Sequence, residues 1–373
     1  MEVFNPKNVT LMGPGPSDVY PSVLTALAKP TIGHLDPQFI HMMDEVKEML
    51  KGAFQTKNEL TMVVSAPGSA GMETCFVNLV EDGDKVIICQ NGVFGGRMKE
   101  NVERYGGFPV MVEDDWGTAI DLNKAEAAIK ENPDAKIFAF VHAETSTGAQ
   151  SDAAALCKLA KDAGMLTLVD AVTSLGGTPL LLDEWGVDAV YSGSQKCLSC
   201  VPGLSPVSFN QRAIDTISNR KTKVKSWFMD LNLVMGYWGG EGKRTYHHTA
   251  PVNALYGMHE ALRLLHEEGL ENAWARHKTN HEKLKTGLEG LGLSFFVKEE
   301  DRLPQCNTIT IPEGVDDAAL RSKLLNDHSL EIGGGLGPMA GKIWRIGLMG
   351  AASSEENVDK CVNALEVELA VSA

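Results

Sequence analysis

Residues 165–170, MLTLVD, and residues 188–196, DAVYSGSQK, decide the fold of this chain. Both begin as short apolar runs, and they end in ionisable side chains, Asp170 and Lys196. The same apolar pattern occurs upstream in LTMVVS (60–65), DKVIIC (84–89) and KIFAFV (136–141). Strands that are apolar throughout are typical of parallel sheets covered on both faces. The sequence therefore predicts an α/β fold.

Helical patterns separate these apolar runs. They predict helices over Met72–Leu79, Arg97–Tyr105, Leu122–Lys130 and Ala153–Ala163. The last helix has Asp152 to cap its start and Gly164 to end it. Because strands and helices alternate between residues 60 and 210, we expect a large domain with a mostly parallel sheet flanked by helices.

The pattern changes after Pro251. Long helical stretches are predicted over NALYGMHEALRLLHEE (253–268) and from residue 270 to about 291. Beyond residue 292, strands are predicted at LSFFVK, NTITIP, LEIGGG and KIWRIGL, with helices near 316–326 and 355–370. These elements make an α+β unit of about 100 residues, a common domain size. We therefore expect an N-terminal segment (1–17), a large domain (18–265) and a small C-terminal domain (266–373).

Composition excludes some partners. The chain has 373 residues and a net charge of −15, whereas nucleic-acid-binding proteins usually have a basic surface. No apolar stretch approaches the roughly 20 residues that a membrane helix needs. The N-terminal residues MEVFNPKNVT do not resemble a signal peptide, and seven scattered cysteines favour reduced thiols. We expect a cytoplasmic protein that binds neither nucleic acid nor membrane.

Ligands of open parallel sheets bind outside the carboxyl ends of the strands. The segments that follow the strands are APGSAG (66–71), QNGVFGGR (90–97), HAETSTG (142–148), Asp170 and SQK (194–196). Small residues, an aromatic ring, hydroxyls, an acid and a lysine are therefore expected along one rim.

The segment APGSAG leads from a strand into a helix. It is either a tight turn or a phosphate site, since free N–H groups at a helix start suit a phosphate. It is neither a P-loop nor the glycine fingerprint of a nicotinamide dehydrogenase. Asp170, at the end of its strand, is either a helix cap or the partner of a buried cationic ring nitrogen.

Lys196 admits three interpretations: a solvated loop lysine, a neighbour of a metal or redox site at Cys197 and Cys200, or a reactive lysine. No His and Cys set has metal-ligand spacing, so we expect no metal. A phosphate turn, a strand-end acid and a lysine are the three groups that pyridoxal 5′-phosphate (PLP) requires. Arg345, in KIWRIGL, is either an edge-strand arginine or a clamp for a substrate carboxylate.

A family resemblance covers almost the whole chain. The motifs are LMGPGPSDV (11–19), IGHLDPQF (32–39), GSAGMET (68–74), NGVFGGR (91–97), HAETSTG (142–148), LVDAVTSLGGTPL (168–180), YSGSQKCL (191–198), YWGGEGKRTYHHTAPV (237–252), GGGLGPMAGK (333–342) and WRIGLMG (344–350). In this order they resemble the alanine–glyoxylate/serine–glyoxylate (serine–pyruvate) aminotransferases, class V of the fold-type I PLP enzymes. The resemblance implies a seven-stranded type of sheet and a homodimer with shared active sites.

The resemblance also implies site residues. Lys196 would bond to the cofactor and move a proton, and Asp170 would pair with its ring nitrogen. The implied cofactor-binding positions are Gly68, Ser69, Ala70, Phe94, Thr145, Asp170, Ser194, Gln195, Lys196, Tyr246 and Thr249. Tyr246 and Thr249 would reach the phosphate from the partner subunit. Arg345 would clamp the substrate α-carboxylate, and Gly13 and Gly15 would close over the substrate.

The implied activity is ping-pong transamination between an amino acid of the alanine or serine type and glyoxylate or pyruvate. A lyase resembling cysteine desulfurases is an alternative, although Gln195 and Phe94 stand where such relatives have histidines. Relatives with unusual donors, ureidoglycine or pyridoxamine, are further alternatives, and Gly68 argues against pyridoxamine. Some relatives have Trp at position 94 and His or Arg at position 69. A non-catalytic cofactor-binding regulator would usually carry a basic DNA-binding module, which the sequence lacks.

Overall fold

The computed structural model describes residues 1–239 and 244–372, so GEGK (240–243) of the motif at 237–252 lies outside the described residues. Its strands are β1 (Thr10–Leu11), β2 (Leu60–Val64), β3 (Lys85–Gln90), β4 (Phe108–Glu113), β5 (Ile137–Val141), β6 (Ala143–Glu144), β7 (Ala149–Gln150), β8 (Leu166–Asp170), β9 (Ala189–Tyr191), β10 (Ser205–Phe209), β11 (Cys306–Thr310), β12 (Leu330–Glu331), β13 (Gly333–Gly334) and β14 (Ile343–Gly347).

Helices cover the faces of the sheets. They are α1 (Pro21–Leu27), α2 (Pro37–Phe54), α3 (Gly68–Leu79), α4 (Val93–Arg104), α5 (Leu122–Glu131), α6 (Ala153–Asp162), α7 (Leu182–Trp185), α8 (Gln211–Ser218), α9 (Leu231–Trp238), α10 (Val252–Glu268), α11 (Leu270–Gly290), α12 (Asp317–His328) and α13 (Glu355–Ser372). Asp152 caps α6 by accepting a hydrogen bond from Ala155 N, as its sequence position predicts.

The large sheet of the described residues has seven strands in the order β2-β10-β9-β8-β5-β3-β4. Its neighbours are parallel except at β10, which runs antiparallel to both β2 and β9. The predicted mostly parallel α/β sheet is confirmed. Strands β4 and β10 complete it and were not among the predicted runs. Because β5, β8 and β9 are buried throughout, their carboxyl ends are held rigidly beside one another.

Two helices begin earlier than their sequence patterns predict. Helix α3 starts at Gly68 and α4 at Val93, so each first turn includes the small residues that follow a strand. This shift matters for the site, because both helices begin at the carboxyl end of the sheet and direct their N-terminal N–H groups toward it.

The C-terminal residues form a smaller α+β unit with its own hydrophobic cluster. Its sheet has the order β11-β14-β13, and Trp344 on β14 is fully buried. The prediction of a strand at LSFFVK was wrong, because Phe295 makes only an isolated bridge to Ile309. The N-terminal segment joins this unit, since β1 pairs with β12 and Met12 lies in the same cluster. The exact domain boundaries stay a prediction.

Other features of the described residues bear on partners. None of the described helices is both long and apolar enough to cross a membrane. Within residues 1–239 and 244–372, no group of three or more His, Cys, Asp or Glu side chains could hold a metal ion. The cysteines, all within the described ranges, are buried and free.

Candidate active site

Asp170 and Lys196 follow neighbouring strands at the carboxyl edge of the large sheet. Asp170 ends β8 and lies opposite Tyr191 on β9, while Lys196 lies in the turn after β9. The Asp170 carboxylate accepts a 2.6 Å hydrogen bond from Tyr191 Oη and a 2.8 Å bond from Val172 N. Burial raises the pKa of Asp170 to about 6, although both hydrogen bonds favour its ionised form. Asp170 is therefore a buried acid with spare acceptor capacity.

Lys196 is not a solvated loop lysine. The residue is only 8% exposed, and burial lowers the pKa of its ammonium group. Its Nζ donates to Pro14 O, so the GPGP turn lies directly over the amine. A side chain at Gly15 would come within 2.8 Å of Lys196 Cδ and Cε, and the positive φ of 107° also favours glycine there. An enclosed lysine whose pKa is lowered by burial has the properties expected of a nucleophile.

The GPGP turn is tied to the lysine turn by backbone contacts. Ser17 N donates to Gln195 O at 2.9 Å, and Ser17 Oγ donates to Lys196 O at 3.0 Å. On its other side, Met12 O accepts from Gly347 N at 2.7 Å, at the end of β14. Gly13 and Gly15, predicted to contact substrate, therefore lie between the lysine and the C-terminal sheet.

The start of α3 has the properties of an anion site. No side chain of the described residues caps its first turn. Gly68 lies close to the segment after β9. A Cβ atom at this position would lie 3.5 Å from Ser192 O. Gly68 is buried and Ser69 exposed, and their N–H groups are uncapped and available to a phosphate, whereas Ala70 N already donates to Pro67 O at 2.7 Å.

Gln195 and Ser194, the other predicted phosphate neighbours, differ in their availability. Gln195 Oε1 is buried and has no hydrogen-bond partner among the described residues. Ser194 Oγ, in contrast, donates to Val201 O at 2.6 Å and accepts from Leu204 N at 3.4 Å. Gln195 Oε1 can therefore accept a hydrogen bond from a ligand, whereas the Ser194 hydroxyl already shapes its own turn.

The segment Glu144–Thr145–Ser146 connects the large sheet to the C-terminal sheet. Thr145 O accepts a 3.1 Å hydrogen bond from Arg345 Nη1. Glu144 Oε2 accepts from Phe94 N at 3.1 Å, so the predicted ring-stacking residue begins α4 beside this segment. Thr145 and Phe94 are thus brought to the rim where Asp170 lies.

Arg345 is buried on β14 and directed at this rim. It is 7% exposed, and its Nε donates to Gly334 O at 2.7 Å. These two carbonyl contacts, to Gly334 and Thr145, fix the plane of the guanidinium group. A fixed guanidinium of this kind can bind a carboxylate through two parallel hydrogen bonds.

None of the hydrogen bonds described above joins Tyr246 or Thr249 to this cluster within the single chain. Both are exposed, Tyr246 to 62%, and its ring centroid lies 5.4 Å from that of His34. Nearby, Trp227 stacks on His247 at 4.5 Å between ring centroids and is itself 65% exposed. The contribution of Tyr246 and Thr249 to a partner's site stays a prediction.

The sequence analysis missed two side chains of the site. Tyr191 donates to Asp170, and its phenol ends an apolar strand, where a buried hydroxyl needs a partner. Glu144 follows the strand KIFAFV, and a carboxylate in that position is a signal comparable to Asp170. Cys197 and Cys200 are both buried, and Cys197 Sγ contacts Thr173 O at 3.2 Å, so the C-x-x-C pair belongs to the packing of the turn.

These residues fit PLP. The uncapped start of α3 suits its phosphate, and Asp170 suits a protonated ring nitrogen. The enclosed amine of Lys196 suits its aldehyde. Side chains at Gly15 or Gly92 would occupy space next to Lys196 and Glu144, so glycine keeps this volume open.

Fold and site together define an aminotransferase of the fold-type I class. The sequence model of the family "Aminotransferase class-V" matches residues 17–360, and the chain belongs to this family, whose members depend on PLP in general. The alanine–glyoxylate aminotransferase of Drosophila melanogaster is 42% identical over 359 residues, which cover 95% of this chain and 91% of that protein.

Two further similarities extend over the whole fold. The (S)-ureidoglycine–glyoxylate transaminase of Bacillus subtilis is 36% identical over 378 residues, covering 96% of this chain and 90% of that protein. A crystal structure of the alanine–glyoxylate aminotransferase from Nostoc sp. superposes with a TM-score of 0.96 at 47% identity, covering 99% of this chain and 97% of that chain. The family resemblance inferred from the motifs is confirmed.

Proposed function

We propose that this chain catalyses PLP-dependent transamination between a small amino acid of the alanine or serine type and glyoxylate or pyruvate. The observation that carries the proposal is the buried Lys196, whose amine lies under the GPGP turn and interacts electrostatically with the buried Asp170. The names of the relatives support glyoxylate as one oxoacid, since the alanine and ureidoglycine enzymes share it.

Each residue of the site has a task in this reaction. When bound, PLP withdraws electrons from the carbon that bears the substrate amino group and stabilises the charge left when that carbon loses its proton. Lys196 Nζ, freed from Pro14 O, takes this proton and later returns it. Asp170 would stabilise a proton on the ring nitrogen through its negative charge and spare acceptor capacity, and that cation would in turn oppose the rise in the pKa of Asp170.

Arg345 and the GPGP turn orient the substrate. The guanidinium, fixed by Thr145 O and Gly334 O, binds the α-carboxylate of both amino acid and oxoacid, so one pocket serves both halves of a ping-pong reaction. Gly13 and Gly15 cover the substrate and exclude water from the amine. The phosphate is held by α3 at Gly68, Ser69 and Ala70, with Gln195 and Ser194 beside it.

The assembly we propose is a homodimer in the cytoplasm, with Tyr246 and Thr249 completing the phosphate site of the partner subunit. The exposure of Tyr246 and its neighbour Trp227 supports this assignment, because monomeric proteins rarely leave such a cluster of rings in water. We further propose domain boundaries at residues 17 and 265, between which the larger hydrophobic cluster mostly lies.

A second donor merits a test. The ureidoglycine relative covers this chain as fully as the alanine relatives do, at 36% identity. Because both donor types require only an α-carboxylate clamp and a side-chain pocket, the same site accommodates either.

The proposal is tested by absorbance and turnover. Purified protein with added PLP should develop a visible band that bleaches with alanine, serine or (S)-ureidoglycine and returns with glyoxylate or pyruvate. The donor with the fastest bleaching identifies the physiological class of amino acid. A protein that neither takes up PLP nor bleaches with any of these donors would overturn the proposal.

Lys196→Ala should lower turnover by at least about 10⁴-fold, because it removes the group that moves the proton. Lys158→Ala, which removes an exposed partner of Asp162, is the matched control and should retain full activity. Equal activity of the two variants would contradict the role of Lys196.

A further inference from the structure

Glu144 is a fully buried carboxylate that the mechanism above does not use. It ends β6 at the rim of the large sheet and is 0% exposed. Its Oε1 accepts from Ser146 N at 3.0 Å and from Ser146 Oγ at 2.6 Å, and its Oε2 accepts from Phe94 N at 3.1 Å. Burying a carboxylate is costly, and burial raises the pKa of Glu144 to about 7 against these hydrogen bonds.

The donors to Glu144 belong to the start of α4. This helix begins at Val93 after Gly92, which has no side chain to cap it. Glu144 and Ser146 supply the missing caps from another part of the chain, since Val93 N donates to Ser146 Oγ at 3.0 Å. A side chain at Gly92 would collide with Glu144 and with Ser146 Oγ, so glycine lets the carboxylate approach the helix start.

Phe94 is thereby positioned through its backbone. A residue in the first turn of a helix takes its ring direction from the orientation of that turn. Phe94 is only half-buried, and Arg97 on the same helix covers one face of its ring, with Cζ 4.8 Å from the centroid. The hydrogen bond to Glu144 therefore fixes a ring that tertiary packing holds only in part.

We propose that Glu144 is a positioning residue that fixes the first turn of α4 and thereby holds the Phe94 ring against the cofactor. This inference rests on the proposed function, because it takes PLP as the ligand on which Phe94 stacks. In its ionised form the carboxylate suits the task, because it then accepts hydrogen bonds only and all three of its partners are donors.

The test is Glu144→Gln, which keeps the shape but replaces one acceptor oxygen by an NH₂ donor that faces other donors. We expect PLP to bind about tenfold more weakly by fluorescence titration of cofactor-free protein, the loss typical of one hydrogen bond to a charged group. The visible circular dichroism of bound PLP should also weaken, because the ring loses its fixed stacking partner.

A double-mutant cycle with Phe94→Ala separates positioning from a general effect on folding. Once the ring is absent, Glu144→Gln should change PLP affinity by less than about twofold, since coupled residues are not additive. The same tenfold loss with and without the Phe94 ring would overturn the proposal.

Two further variants serve as controls. Ser146→Ala removes one donor to Glu144 and the cap on Val93 N, so it should weaken PLP binding in the same direction and provides the test if Glu144→Gln does not fold. Asp188→Asn changes a buried carboxylate at the other end of the sheet and should leave PLP affinity unchanged. Wild-type protein that binds no PLP would instead contradict the proposed function, whereas unaltered PLP binding and dichroism in both Glu144→Gln and Ser146→Ala would contradict only the role of Glu144.

Discussion

Asp170 and Asp188 are buried on neighbouring strands of the same sheet, yet their surroundings differ. Asp170 ends β8 at the carboxyl edge and is 3% exposed, and Asp188 precedes β9 at the amino edge and is 1% exposed. Asp170 has two donors, Tyr191 Oη and Val172 N. Asp188 has the donors Thr167 N and Oγ1, Asn210 Nδ2 and Arg212 Nη1.

The difference lies in how completely each carboxylate is satisfied. Asp188 accepts three hydrogen bonds on Oδ2 and one on Oδ1, and one of its donors is a cation. Each oxygen of Asp170 accepts a single hydrogen bond and keeps a free lone pair. Asp188 therefore has more donors than Asp170, one of them a cation, and Asp170 keeps more capacity to accept further hydrogen bonds.

Of the changes that test this difference between Asp170 and Asp188, Asp170→Asn should have the largest effect, and that effect is on kcat/KM. The amide cannot hold a proton on the cofactor ring nitrogen, so we expect kcat/KM to fall by about 10³-fold. Thermal unfolding of the cofactor-free variant should stay close to that of the wild type, because few hydrogen bonds are lost. A variant with unchanged kcat/KM would show that Asp170 has no role in the chemistry.

Asp188→Asn should lower the stability of the fold and leave PLP binding unchanged. Its NH₂ group faces Thr167 N–H or Asn210, so we expect the free energy of unfolding to fall by about 2 to 3 kcal/mol in a urea titration. The spectrum of bound PLP should be unchanged. Loss of PLP binding in folded Asp188→Asn protein would contradict the assignment of a purely structural role to Asp188.

The smallest expected effect is a dependence of stability on pH. The pKa of Asp170 is about 6 in the folded protein, above its ordinary value of 3.8, so folded protein binds the extra proton between these values. This contribution to stability is present at low pH and is lost as the pH rises toward and through 6. Integrated from pH 5 to pH 7, the loss is about 1 kcal/mol.

The amide of the Asp170→Asn variant does not titrate in this range, so the variant does not undergo this loss of stability. Cofactor-free variant protein should therefore gain about 1 kcal/mol relative to wild type between pH 5 and pH 7, measured by urea unfolding at each pH. A constant difference between the two proteins over this range would mean that the pKa of Asp170 is not raised.

Much of the large sheet follows from the sequence alone, because β2, β3, β5, β8 and β9 are short apolar runs bounded by polar residues. Strand β4 was missed because Pro109 interrupts its apolar run, and the sheet tolerates this proline at its edge. Strand β10 was missed because Ser205, Pro206 and Ser208 dilute its apolar pattern. Its antiparallel direction depends on the path of the connecting chain, which local sequence does not record.

The site also contains some residues that the sequence predicts and some contacts that it does not. Asp170 and Lys196 could be found from strand ends, because chemistry in an α/β fold is placed there. The contacts of Arg345 with Thr145 O and of Glu144 with Phe94 N could not, since each joins a side chain to a distant backbone atom. Backbone partners have no sequence signature, so only the folded chain identifies them.

The N-terminal segment has a consequence for the order in which the chain can be completed during synthesis. Thr10 Oγ1 accepts from Lys360 Nζ across 350 positions, and Ser17 binds the lysine turn across 178 positions. A ribosome releases these early residues long before their partners exist. The residues that cover Lys196 are thus made first, but they reach their places only after the lysine turn has been made, and Thr10 gains its partner only when Lys360 follows.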